Sequence, residues 1–82
     1  MGIKIIMFTN DWCHACGAQR QLIQGLPIEE RDVEKHMDFC LSNDITLVPS
    51  FAILDNETII KKHVGYLNEK ELLEFIKGMY VN

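Results

Sequence analysis

Residues 3–8, IKIIMF, form an apolar run without clean alternation, and the chain passes from it through a short polar stretch into helical spacing. An unbroken β-rich run of this kind reads as a strand covered on both faces, as in the centre of an α/β sheet. Two cysteines, Cys13 and Cys16, stand at that junction, within FTNDWCHACGAQRQ (8–21). Taken alone, such a pair fits a metal site, a staple within the fold, or a redox couple.

The remaining pattern supplies the frame. Ala15, Ala18, Leu22 and Leu26 recur at helical spacing, with Gln19, Arg20, Gln21 and Gln24 as a polar face, and Gly25 with Pro27 ends the helix near Leu26. PIEERDV (27–33) reads as an edge strand, from its charges and its leading proline. Asp32 and Glu34 then place negative charge at a helix start, and Val33, Met37, Cys40 and Leu41 follow at helical spacing up to SND (42–44). ITLVPSFAIL (45–54) leads into an apolar strand broken near its start by Pro49, DNE (55–57) turns the chain, and TIIKKHV (58–64) completes a hairpin. Beyond Gly65, Asn68 caps a last helix whose Leu72, Leu73, Ile76, Met79 and Tyr80 share one apolar face.

The order β-α-β-α-β-β-α predicts an α/β fold. Two strands joined through a helix should run parallel with a right-handed crossover, and the hairpin adds antiparallel strands. The result is a four-stranded mixed sheet with helices on both faces, and the cysteine pair lies at the edge where open α/β sheets bind and react.

Length and composition narrow the function classes. The 82 residues suffice for one domain, 1–82, near the lower end of what folds on burial alone. A net charge of −4, with basic residues in runs no longer than a pair, argues against nucleic acid or an anionic membrane as the main partner. The opening MGIKIIMFTND is too short an apolar stretch to span a bilayer, carries no signal-cleavage pattern, and has Ile6 where myristoylation needs Ser or Thr. Three cysteines are an odd count and too few for a disulfide-stapled secreted domain, so a cytoplasmic protein with a special pair and one bystander is expected; a monomer is expected as well.

Cys13 falls at or next to a helix N-cap, where unpaired N–H groups and the helix dipole favour an anion such as a thiolate. Sites of this kind lower a cysteine pKa from about 8.5 to roughly 3.5–7.5. Cys16, one turn further in, is placed to reach Cys13 while shielded from solvent. Cys13 is then expected to attack a disulfide and Cys16 to resolve the mixed disulfide. A protonated His14 would stabilise the thiolate, and Asp11 would oppose it. Trp12 is either a platform for substrate or a ring packed across the strand end, and Tyr66 either lines the groove or packs on the final helix. Proline cannot donate to a strand ladder, so Pro49 needs a reason for its position. A cis Val48–Pro49 bond is one, leaving the Val48 backbone free to pair with an extended substrate.

WCHAC after an apolar strand, VPSF opening the third strand and VGY (64–66) after the hairpin together resemble the thioredoxin superfamily, in that family's order and across essentially the whole chain. The resemblance implies Cys13 as nucleophile, Cys16 as resolving thiol, a cis Pro49 facing the pair, and Gly65 letting a substrate chain approach. In size the chain is similar to a glutaredoxin, but Cys-Pro-Tyr-Cys is absent and Gly65 precedes Tyr66 rather than a second glycine. Met7 stands where thioredoxins carry a buried acid, which leaves Glu30 as a candidate carboxylate.

The expected function is a thiol–disulfide oxidoreductase acting on protein disulfides, most simply as a reductase. It needs no cofactor in the site and an external donor such as a thioredoxin reductase or glutathione. A glutathione-dependent glutaredoxin-type enzyme and a metal or iron–sulfur CxxC module are the alternatives. Structural zinc wants four ligands, and Cys40, His14, His36 and His63 lack the spacing. Cys40 reads as a buried structural cysteine, and His36 and His63 as solvated.

Overall fold

The computed structural model describes residues 2–78, so Met79 and Tyr80 of the expected helix face lie outside the described residues. Four strands, β1 (Ile3–Thr9), β2 (Ile28–Asp32), β3 (Ser50–Asp55) and β4 (Thr58–Val64), form one sheet in the order β2-β1-β3-β4. β1 runs parallel to β2, with Ile5 opposite Ile28, and antiparallel to β3, with Ile5 opposite Ile53. β3 and β4 pair antiparallel through a bulge, since Ile53 faces Lys61 while Leu54 faces Ile59. The charged strand β2 is at an edge, as its sequence requires, and the two central strands carry the apolar runs. The hairpin turn places Asn56 at φ 52° and Glu57 at φ 68°, the two consecutive left-handed residues of a tight two-residue turn.

Because β1 and β3 are apolar at successive positions, each has a core on either side. Ile5, Met7, Phe51 and Ile53 pack with Leu67, Leu72, Phe75 and Ile76 beneath α1 (His14–Ile23) and α3 (Glu69–Lys77). Ile6, Phe8, Ala52 and Leu54 face the other way, against Ile45 and against Phe39 and Cys40 of α2 (Met37–Ser42). Arg31 is buried on this second side: it is bonded to Glu57 at 3.0 and 3.2 Å and to Glu29 at 2.9 Å, and its guanidinium lies 5.7 Å from the centre of the Phe39 ring.

Three expectations about helix faces are corrected. α1 ends at Ile23 rather than near Leu26, with Gln24 as C-cap and Gly25 at φ 81°, and its buried face is Cys16 and Gln19 while Ala15 and Ala18 face solvent. An alanine offers too little apolar surface to fix a face against a competing buried contact. The second helical segment is broken: a 3₁₀ turn over Val33–Lys35 precedes α2, with His36 between them. That break shifts the phase, leaving Met37 and Leu41 exposed while Phe39 and Cys40 turn inward. In α3, Leu72, Phe75 and Ile76 are buried and Leu73 is outside, and Asn68 caps the helix through a reciprocal pair of bonds with Glu71.

Candidate active site

β1 delivers the chain to the carboxyl edge of the sheet, and Asn10 organises the turn into α1. Its Oδ1 accepts the Trp12 N–H at 2.9 Å and its carbonyl accepts the Cys13 N–H at 3.1 Å. Cys13 is the N-cap of α1, in extended conformation, and its Sγ accepts the Cys16 N–H at 3.1 Å. The sulfur thus stands where a Ser, Thr or Asp oxygen normally caps a helix. No acidic side chain occupies the first turn of α1, so no carboxylate on that turn shares the positive end of the dipole with Cys13.

Cys13 and Cys16 are joined as a disulfide, with their Cα atoms 5.2 Å apart. The two sulfurs differ in access: Cys13 is half-buried at the surface, and Cys16 is fully buried beneath it. A cleft of about 470 Å³ opens beside the pair, and Cys13, Trp12, His14 and Val48 all line it, with Val33 and Ile45 forming its wall. Trp12 is 87% exposed, so its ring is not packed across the strand end. Asp11 is exposed in the turn just before it.

The Val48–Pro49 peptide bond is cis. Pro49 is buried next to Val48 in the chain, and Ser50 anchors the bend by donating its hydroxyl to the Leu47 carbonyl. The Pro49 carbonyl accepts the Gly65 N–H at 2.9 Å. Gly65 has φ 108°, and no atom lies within 4 Å of where its Cβ would be, so backbone conformation rather than space calls for glycine there. Tyr66 is exposed and lies outside the lining of the cleft. The structure therefore brings Trp12, Cys13, His14 and Val48 into one cleft, leaves Cys16 and Pro49 buried outside its lining, and ties Gly65 to Pro49.

Gln19 was missed by the sequence reading, which placed it on a polar face. It is fully buried, and its amide makes two bonds to one backbone unit: Nε2 donates to the Leu67 carbonyl at 2.9 Å, and Oε1 accepts the Leu67 N–H at 2.7 Å. The available signal was its position three residues after Cys16, which puts both side chains on one helix face.

Met7 is buried in the core under α1 and pairs across the ladder with Glu30. The Glu30 carboxylate accepts from Thr9 Oγ1 and from Arg20 Nε, both at 2.8 Å. Cys40 is buried, and burial raises its thiol pKa while the nearby Arg31 charge pulls it down. The expectation of solvated histidines is corrected as well. His36 is half-buried with Nδ1 3.1 Å from the Asp32 carbonyl, and His63 is half-buried with its ring edge-on to Phe75 at 6.4 Å. Among the described residues, no three His, Cys, Asp or Glu side chains converge as a metal-holding group. No helix of the described residues is long and apolar enough to cross a membrane.

A small mixed sheet with a cysteine pair capping its first helix and a cis proline opening its third strand defines a thioredoxin-like fold, and comparison with solved structures agrees. A thioredoxin from Halobacterium salinarum superposes with a TM-score of 0.84 at 17% identity, covering 99% of this chain and 77% of that one. Thioredoxin 1 from Thermosipho africanus gives 0.71 at 26% identity, covering 94% and 93%. Among curated proteins, the mitochondrial thioredoxin of Bos taurus is 22% identical over 83 residues, 92% of this chain, and that of Mus musculus is 20% identical over the same length. The chain spans 50% of the length of these curated relatives. No family model matches it. By fold the chain is thioredoxin-like, and the proteins it is similar to are thioredoxins.

Proposed function

We propose that this protein is a thiol–disulfide oxidoreductase that exchanges the Cys13–Cys16 couple with disulfides of other proteins, working as a reductase. The observation that carries this reading is the unequal access of two bonded sulfurs: Cys13 caps α1 at the mouth of a cleft and Cys16 lies buried below it. In the reduced protein the Cys13 thiolate attacks one sulfur of the substrate. A Cys13–substrate bond forms, the substrate disulfide breaks, and the departing sulfur takes a proton. Cys16 then gives up its proton and attacks the Cys13 sulfur, which restores the intramolecular disulfide and releases the second substrate thiol. Two electrons pass from the pair to the substrate.

The helix N-terminus stabilises the thiolate of the first step, and a protonated His14 beside it adds to that. Trp12 and Val48 offer apolar surface along the cleft, and the Val48 backbone pairs with an extended substrate segment that runs on past Pro49, Gly65 and Tyr66. The chemistry resides in the disulfide itself and calls for no prosthetic group. Two electrons must return from an external donor, a thioredoxin-reductase-like flavoprotein or a small thiol such as glutathione. The relatives named as mitochondrial thioredoxins support this kind of partner. A reducing compartment, the cytoplasm in the simplest case, suits the reductase direction.

Trapping tests the reading. Cys16→Ser should hold a protein substrate as a stable mixed disulfide on Cys13, released by reductant, and Cys13→Ser should hold none. Wild type should reduce insulin disulfides in the presence of a dithiol. A Cys16→Ser protein that traps nothing, together with a wild type that leaves insulin intact, refutes it.

A further inference from the structure

We propose that Gln19 is a positioning residue that sets the Gly65–Leu67 backbone against the active-site helix and so determines how well extended protein disulfides are bound. The proposal rests on the disulfide-exchange reading above and extends it to a residue that touches neither sulfur nor substrate.

The loop after β4 is held at two points. Gly65 donates to the carbonyl of Pro49, and Leu67 both donates to and accepts from the Gln19 amide. Tyr66 lies between these anchors with its ring exposed. Gln19 itself is carried on α1, one turn beyond Cys16 and on the same buried face. One side chain therefore fixes the loop relative to the element that bears both cysteines, and the Gly65 bond fixes it relative to the strand mouth at Val48–Pro49. Together the two anchors tie the loop both to α1 and to the strand mouth, where Val48 lines the cleft, and an extended substrate that runs past Val48 and Pro49 would meet it.

The chemistry asks for an amide. Leu67 presents one donor and one acceptor, both facing a fully buried group, and a carboxamide is the neutral side chain that answers both at once. Leucine answers neither, and an ionised carboxylate would face the Leu67 carbonyl with like polarity. A protonated carboxyl accepts from the N–H and donates to the carbonyl, repeating both bonds. A loop fixed in this way bears on substrates long enough to reach it and is indifferent to a disulfide that contacts Cys13 alone.

The experiment compares wild type, Gln19→Leu and Gln19→Glu on two probes: insulin, and the small aromatic disulfide dithiobis(nitrobenzoate). Folding is checked by circular dichroism. For Gln19→Leu, KM for insulin should rise about tenfold, a change of about 1.4 kcal/mol, while kcat on insulin and the rate on the small disulfide stay within about twofold. For Gln19→Glu, the insulin KM relative to wild type should approach unity at acid pH and climb as pH rises through the titration of the introduced carboxyl, with the small-disulfide ratio flat. Should Gln19→Leu not fold, this second variant carries the test over the pH range in which it keeps its native spectrum. Equal losses on both probes, or an unchanged insulin KM in a folded variant, overturn the positioning role. If wild type turns over neither probe, the oxidoreductase reading falls and this proposal with it, an outcome plainly separate from a defect confined to the variants.

Discussion

Replacing Arg31 by methionine tests how the second core is closed. Arg31 is a charged side chain on an edge strand, buried over Phe39 and bonded through three nitrogens to Glu57 and Glu29. Both carboxylates are about half exposed, so losing the guanidinium leaves them hydrated rather than stranded. Because of that exposure the ion pairs are discounted to about 0.5–1 kcal/mol each, and the stacking on Phe39 adds about 0.5–1 kcal/mol. Methionine keeps most of the aliphatic stem's packing, so Arg31→Met should cost about 1.5–3 kcal/mol near neutral pH. At roughly 4–8 °C per kcal/mol for a domain of this size, the melting temperature should fall by about 6–24 °C.

The cost has a pH signature. The bond from Arg31 holds the Glu57 carboxyl below its ordinary value of 4.5. A carboxyl whose folded pKa is depressed contributes stability that is present above its unfolded value and lost as pH falls through its folded value. Chemical denaturation of wild type and variant from neutrality down toward pH 3 should therefore show the gap constant above about pH 5 and shrinking below it. A neutral-pH gap under about 0.5 kcal/mol would refute the assigned energetics. A gap that stays undiminished in acid would show that Glu57 is not the partner that matters.

Two further outcomes follow from the same geometry. After reduction, iodoacetamide should label Cys13 first and Cys40 far more slowly under native conditions, because burial raises the Cys40 thiol; mass mapping of early time points checks the order. Asn68→Ala removes one side of the capping box that starts α3, and should lower stability by about 1 kcal/mol in denaturant titration, with Glu71→Ala no longer additive on top of it.

The parts of this fold that are legible in the sequence are those set by neighbours along the chain. The unbroken apolar runs of β1 and β3, the DNE turn and the Asn68 cap each depend on residues within a few positions, and each stands where the pattern places it. The placement of Cys13 at an N-cap is likewise local. Gln19 and Arg31 escaped because their burial depends on partners remote in sequence. Leu67 is 48 residues from Gln19, and Glu57 is 26 from Arg31. A polar side chain reads as surface until such a partner is known. The faces of the second helical segment escaped for another reason. A 3₁₀ turn and the break at His36 reset the phase, so a single 3.6-residue period drawn from Val33 to Leu41 points Met37 and Leu41 the wrong way. The cis geometry at Pro49 became an expectation through family likeness, since a proline at a strand mouth does not by itself choose its isomer.

The most direct test is the redox midpoint of the Cys13–Cys16 couple. The folded protein is equilibrated in a series of thiol/disulfide buffers, quenched with an alkylating agent and weighed. The account predicts a reversible two-electron transition in the native protein, between roughly −270 mV, where thioredoxins lie, and roughly −120 mV, where strong disulfide donors lie. The lower end of that range would fix the reductase direction. A pair that resists reduction until about −300 mV or below, or opens only when the protein unfolds, would be a structural staple and would contradict the account.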